Sequence, residues 1–189
     1  MKDKKEIRRE VISIRENIDI DIKNKNDKLI CERLFCDEDF INSKEIFIYL
    51  SYNNEVNTYG IIKTSFELCK KVAVPKTVFK DRAMDFINLN NFNEIDKIPI
   101  NKIGIKEPLE GEVLYPKETT LVIVPGVAFT LKGERIGYGG GFYDKYLIKY
   151  NIKNKIALCY EFQILEEIPV NEEDILVSKI ITEDRSISL

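Results

Sequence analysis

The chain has 189 residues, 44% hydrophobic and 32% charged, the composition of an ordinary soluble globular protein long enough to bury a two- or three-layer core. A net charge of −3 excludes the basic excess that general binding to nucleic acid or an anionic membrane needs, and no apolar run follows the N-terminal lysines as a leader or approaches the roughly 18 residues that span a bilayer. A cytoplasmic protein with no nucleic-acid or membrane partner is therefore expected. There is no histidine. That removes Ser-His-Asp and Cys-His chemistry, a histidine base and His-ligated zinc, and leaves carboxylates, lysine, arginine, backbone amides and oxygen-bound hard metals.

In chain order, "DKKEIRREVISIREN" reads as a helix, because Ile7, Val11, Ile14 and Ile18 recur at helical spacing. A second helix is expected through "KLICERLFC". The four cysteines, Cys31, Cys36, Cys69 and Cys159, contain no C-x-x-C pair and read as small buried hydrophobes. "EIFIYLS" reads as a buried strand, "TYGIIKTSFELCKK" as a helix with Asn57 or Thr58 as N-cap, and "VAVPK" and "AMDFINL" as short strands. From Asn90 to Lys117 the chain is rich in turns, with Pro99, Pro108 and Pro116. "TLVIVPGVAF" follows as an apolar central strand ending at Pro125-Gly126. After it come a glycine loop, a helix "YDKYLIKYN" starting near Phe142, and the strands "KIALCYE" and "VSKIITE".

Apolar strands alternating with helices predict an α/β fold whose mostly parallel sheet is covered on both faces. No Gly-, Pro- or Ser-rich linker and no repeat divides the chain, so a single domain over 1–189 is expected, with a helical segment of about 3–42 packed on the α/β core. Ligands of such sheets sit beyond the carboxyl ends of the strands. "SYNNE", "PGVAF" with the glycine loop, and "YEFQ" all stand there.

Four of the nine glycines lie between Gly137 and Gly141, in "GERIGYGGGFYDKYL". A turn needs one or two, so the cluster points to an anion held against the backbone. Neither the P-loop pattern nor the complete dinucleotide fingerprint is present. The physics is shared, because a helix starting near Phe142 turns its first amides toward the same place and Arg135 can grip a phosphate with two nitrogens. Asp144, in the first turn, reads equally as a complement to the helix dipole and as an oxygen ligand for Mg²⁺ on nucleotide phosphates. Lys4 and Arg8 stand one turn apart beside the apolar seam, and Lys5 and Arg9 share that spacing. Glu55 is either a solvated loop charge or a holder for a polar ring substituent. Asp174, among other acids in "VNEEDILV", reads by default as exposed.

"VPGVAFTLKGERIGYGGGFYDKYL" closely resembles the signature of the 5-formyltetrahydrofolate cyclo-ligase family, roughly P-G-[LV]-A-F-D-x-x-G-x-R-[LI]-G-x-G-x-G-[YF]-Y-D. Supporting matches run along almost the whole chain: "KKEIRRE", "YLSYNNEVNT", "VAVPKT", "MDFINL", "GIKEP", "ALCYEFQ" and "IPVNEEDILVSKIITE". The resemblance implies a three-layer α/β/α fold. It also implies ATP- and Mg²⁺-dependent closure of 5-formyltetrahydrofolate to 5,10-methenyltetrahydrofolate, with release of ADP and phosphate. Carried onto this chain, it implies catalytic roles for Arg135 and Lys4. ATP would be held by Lys4, Lys5, Glu6, Ile7 and Arg8 together with Arg135, Ile136, Gly137, Tyr138, Gly139, Gly140, Gly141, Phe142 and Tyr143. Folate would meet Leu50 and Glu55, with Tyr138 to Tyr143 between the two ligands, and Asp144 and Asp174 would hold Mg²⁺. The family's K-x-x-[LI]-R pattern selects Lys4, Ile7 and Arg8 over the neighbouring pair.

Three positions depart from the pattern: Thr130 replaces a frequent Asp, Phe142 a frequent Tyr and Ile136 a frequent Leu. Only Thr130 touches a polar role, that of a local turn or a minor contact. A monomer is the preferred expectation, and polyglutamate preference is left open. Two other readings stand beside this one. One is a non-catalytic nucleotide- or folate-binding module. The other is a sugar-phosphate isomerase or CoA transferase, which would bind an anion at such a loop without ATP.

Overall fold

The computed structural model describes residues 2–78, 83–101, 104–171 and 173–189. Helix α1, Lys4–Glu16, begins at a capping box: the Asp3 side chain accepts from the Lys5 and Glu6 amides while Glu6 accepts from the Asp3 amide. Its buried face is Ile7, Val11 and Arg15, spaced by four; Ile14, expected in that face, is exposed. Helix α2, Ile20–Phe35, starts well before the expected "KLICERLFC". The early turns escaped the periodicity because its buried face opens with an ion pair, Lys23 to Asp27 at 2.6 Å, before Ile30 and Leu34. A short unexpected helix, α3, covers Glu38–Asn42 behind the cap of Asp37.

The main sheet has a parallel centre: β1 (Glu45–Ile48) lies between β2 (Lys71–Val78) and β5 (Thr120–Val124), followed outward from β5 by β8 (Lys155–Leu158) and β10 (Lys179–Ile181). Both edges turn antiparallel, with β11 (Ser186–Ser188) on β10, and β3 (Ala83–Leu89) followed by β4 (Val113–Leu114) beyond β2. Successive residues of the central strands face opposite ways. Ile46 and Ile48 of β1 and Leu121 and Ile123 of β5 join Ile30, Leu34, Phe40, and Ile61 and Ile62 of α4 (Tyr59–Glu67) on one face. Phe47, Val122 and Val124 join Tyr146 and Leu147 of α5 (Phe142–Lys149) on the other. Helices therefore cover both faces of the sheet.

The central strand in "TLVIVPGVAF" stops at Pro125-Gly126 as expected, and an unexpected second strand follows it. β5 ends at Val124, and the chain turns into β6 (Ala128–Thr130), which pairs with β7 (Arg135–Ile136) and β9 (Ile164–Leu165) in a separate three-stranded sheet. Pro125 lacks the amide that would continue the ladder, and a Cβ on Gly126 would stand 2.4 Å from the Phe129 ring. Ile7 and Val11 of α1 pack on this small sheet, against Val127, Ala128 and Ile136. That contact sets α1 beside the glycine loop, which leaves β7 directly. Thr130 closes the β6–β7 turn: its hydroxyl donates to Glu134 at 2.7 Å and accepts from the Lys132 amide at 3.2 Å. The departure from Asp is thus absorbed within a local turn. The cysteines divide: Cys159 is buried, but Cys36 and Cys69 are exposed, just past the ends of α2 and α4. Among the described residues no helix is long and apolar enough to cross a membrane.

Candidate active site

A cavity of about 670 Å³ opens at the carboxyl ends of β1 and β5. Tyr49 and Leu50 enter it directly after β1, Pro125 directly after β5, and the whole loop from Arg135 to Asp144 forms one wall. Lys4, Arg8, Glu55 and Asp174 complete the set of expected residues gathered around it. Lys5, Glu6 and Ile7 are not part of its lining. Lys5 is exposed, Glu6 is used in the cap of α1, and Ile7 is buried against the small sheet.

Three cations gather around the glycine loop. Lys4 forms an ion pair with Asp174, and Arg8 Nε donates to the Gly137 carbonyl at 2.7 Å. Arg135 is 5% exposed; its Nη1 donates to the Ile175 carbonyl at 2.6 Å and its Nη2 to Asp144 Oδ1 at 2.8 Å. Asp144 Oδ1 also accepts from the Ile175 amide at 3.1 Å. Burial would raise the Asp174 carboxyl, but the Lys4 ion pair and the Asn171 amide outweigh it and hold the group below the ordinary carboxylate value. Gly141 caps α5 in the left-handed region, φ +69°, and as a glycine it offers no side-chain cap to that helix. Gly139, φ +96°, would bring a Cβ to 3.6 Å from the Arg8 guanidinium carbon. A helix N-terminus capped by glycine and three cations around one backbone loop are suited to a polyanion.

Away from that loop the wall is apolar and aromatic around one buried acid. Glu55 is 8% exposed and accepts from the Tyr138 hydroxyl and, at 2.9 Å, from the Tyr52 amide. Burial pushes its carboxyl above the usual value, and those hydrogen bonds and the charge of Arg15 pull it back only in part. It is therefore not the solvated loop charge that spacing alone allowed. Its loop is fixed from three elements. Arg15 Nε donates to Asn53 O at 3.1 Å, the Asn57 amide to Asp27 at 3.2 Å, and the Tyr160 hydroxyl to Asp27 at 2.7 Å and Glu55 O at 3.4 Å. Tyr143 meets Phe86 edge-on at 6.3 Å, and its hydroxyl is buried without a hydrogen-bond partner among the described residues.

Mg²⁺ takes oxygen ligands, with one or two carboxylates and the rest supplied by substrate phosphates and water. Asp144 Oδ2 and Asp174 Oδ1 carry no hydrogen bond among the described residues, and both side chains border the cavity beside the cations. The donor chemistry fits that ion when phosphates are present. No cluster of three or more acidic, His or Cys side chains that would hold a metal alone exists among the described residues.

Sequence reasoning missed part of the wall. Tyr49, Tyr52, Thr77, Met84, Asn101, Ile105, Lys106 and Glu107 also line the cavity. Four of these come from the turn-rich stretch after Asn90, which has no periodicity to read. Arg15 left a signal: it continues the Ile7, Val11 spacing and so puts a charge in an apolar stripe.

A family model described as the 5-formyltetrahydrofolate cyclo-ligase family matches residues 1–183. The chain is 33% identical over 165 residues to the 5-formyltetrahydrofolate cyclo-ligase of Mus musculus, covering 82% of this chain and 81% of that one. The NMR structure of a 5,10-methenyltetrahydrofolate synthetase from Aquifex aeolicus superposes with a TM-score of 0.82 at 28% identity, covering 98% of this chain and 92% of the other. A 5,10-methenyltetrahydrofolate synthetase from Mycoplasma pneumoniae has the same fold, with a TM-score of 0.77 at 20% identity over 96% of this chain and 99% of that one.

Proposed function

Because the chain belongs to the 5-formyltetrahydrofolate cyclo-ligase family, we propose that it closes 5-formyltetrahydrofolate to 5,10-methenyltetrahydrofolate in an ATP- and Mg²⁺-dependent reaction within the single cavity described above. The observation that carries this reading is the division of that cavity. A cationic end at the glycine-capped N-terminus of α5 suits a triphosphate, and an aromatic end with one buried acid suits a pterin.

The formyl group on N5 is an amide, so its carbon is a poor electrophile. The formyl oxygen attacks the γ-phosphorus of ATP, the bond to the ADP oxygen breaks, and the oxygen becomes a phosphate leaving group. N10 then attacks the formyl carbon. As the carbon–oxygen bond breaks, phosphate departs with its electron pair, the N10 proton passes to solvent, and the five-membered ring is closed. That attack is intramolecular, so much of its entropic barrier is already removed by the substrate.

Phosphoryl transfer asks the protein for positioning and charge neutralisation. In this reading Arg135, Lys4 and Arg8 face the phosphates with the loop from Ile136 to Gly141 and the first amides of α5. Asp144 and Asp174 would hold Mg²⁺, which when bound neutralises phosphate charge. Glu55 accepts hydrogen bonds from the pterin's N–H groups, Leu50 and Tyr143 bound its ring, and Tyr138 and Phe142 stand between the ligands. No proton must be taken by a histidine, in keeping with a chain that has none.

The test is an absorbance assay for the methenyl product with purified protein, 5-formyltetrahydrofolate and Mg²⁺. Product is expected with ATP and not without it. No product in either case, with ATP still raising the melting temperature, would leave a nucleotide-binding relative that lacks this reaction.

A further inference from the structure

Helix α1 carries Lys4, Arg8 and Arg15, four and then seven residues apart and so along one side. The first two border the cavity; Arg15 does not. Yet Arg15 is among the largest fully buried side chains, 1% exposed. A buried guanidinium is unfavourable unless its charge is answered nearby. Its Nε donates to Asn53 O, its Nη2 is buried without a hydrogen-bond partner among the described residues, and its Cζ stands 5.7 Å from the centre of the Tyr138 ring. Tyr138 in turn donates its hydroxyl to Glu55. The order is therefore cation, aromatic ring, carboxylate.

The backbone tells the same story. Asn53 and Asn54, which lead into Glu55, have φ of +46° and +56°, a region that side-chain-bearing residues rarely adopt and that surrounding contacts must maintain. Arg15 provides those contacts twice: its side chain takes Asn53 O, and its own carbonyl accepts from Asn54 Nδ2 at 3.3 Å.

We infer that Arg15 is a positioning residue for folate recognition, holding the Tyr138 ring and the Asn53–Asn54 turn so that the Glu55 carboxylate meets the substrate in one orientation. The inference rests on the reading of Glu55 as a folate contact. It also makes α1 serve both ends of the cavity, the phosphate end through Lys4 and Arg8 and the folate end through Arg15.

Full-length Arg15→Gln, Arg15→Lys and Glu55→Gln variants would be compared by steady-state kinetics, with 5-formyltetrahydrofolate and ATP titrated separately and melting temperatures recorded. Arg15→Gln should raise the folate KM about tenfold, from loss of the ring contact and of the turn's anchor together, while the ATP KM stays within about twofold. Arg15→Lys should recover part of that loss. In a Tyr138→Phe background the effect of Arg15→Gln should shrink, since the link from ring to Glu55 is already cut. A folded Arg15→Gln enzyme with an unchanged folate KM, or with both KM values raised alike, overturns the inference; the second pattern is that of a purely structural arginine. Should Arg15→Gln not fold, Arg15→Lys is read instead. An ammonium cannot serve Asn53 and the Tyr138 face together, so a raised folate KM alone supports the inference and any other pattern overturns it. If Glu55→Gln leaves the folate KM unchanged, the reading of Glu55 fails and the inference with it. If Glu55→Gln raises it and Arg15→Gln does not, only the inference fails.

Discussion

Replacing Arg135 by alanine separates what this side chain does for the fold from what it does for the reaction. The side chain is 3% exposed and makes two bonds, to Ile175 O at 2.6 Å and to Asp144 at 2.8 Å. Breaking a buried ion pair on one side destabilises by about 3–5 kcal/mol when the partner is left buried and uncompensated. Asp144 is 27% exposed and keeps the Ile175 amide, so the lower figure applies, about 3 kcal/mol. For a chain of this size that lowers the melting temperature by about 6–12 °C. Turnover measured well below the new melting temperature should fall about 10²- to 10³-fold, the usual effect of removing one preorganised charge from a transition state. Arg135→Lys, which keeps the charge but cannot reach both partners, should lie between wild type and alanine on both measures. An Arg135→Ala enzyme with near-normal turnover would refute the phosphate-end assignment, and an unchanged melting temperature would refute the energetic reasoning.

Three further outcomes follow from the same geometry. Burial raises the Glu55 carboxyl above its unfolded value, so the ionised group opposes folding as pH rises past that value, in full above the folded one. Glu55→Gln should therefore melt higher than wild type at pH 7, with the gain shrinking toward pH 4.5, while folate binding weakens; a lower melting temperature at pH 7 would contradict this. Asp174 is shifted the other way, so its pair with Lys4 stabilises above the unfolded carboxyl value and is lost as pH falls through the lower folded one. Lys4→Ala should cost about 1 kcal/mol at neutral pH, because both side chains are about one-fifth exposed, and melting curves of the two proteins should converge in strong acid. Gly137 has an ordinary φ, and a Cβ there would meet nothing within 4 Å. The fold does not need glycine at that position, so Gly137→Ala should leave the melting temperature within about 1 °C and raise a substrate KM; unchanged kinetics would remove Gly137 from the site.

The sheet was legible because its central strands are short apolar runs, and a strand buried on both faces leaves that mark in any register. β1 and β8 were found this way. The end of β5 at Pro125-Gly126 was also legible, but β6 was not, because three residues, Ala128 to Thr130, are too short a run to mark a strand. The first half of α2 was invisible because Lys23 and Asp27 occupy its buried face as a pair, and a pair does not look apolar. In the site, the glycine loop and Arg135 announced themselves by clustering. Glu55 was legible only as one of two readings and Arg15 only as a charge in an apolar stripe, since their burial is created by the packing of α1 and the loop after β1. Ile105, Lys106 and Glu107 had no signal beyond their place in "GIKEP", and Asn101 had none.

The account's central chemical step is transfer of the γ-phosphoryl group to the formyl oxygen. It is tested most directly with substrate carrying ¹⁸O in the formyl group, followed by mass analysis of the phosphate released by the purified protein with Mg²⁺ and ATP. The account predicts one ¹⁸O in each phosphate formed with the methenyl product. Unlabelled phosphate, with the label appearing in water, would show that ATP is cleaved without activating the formyl oxygen.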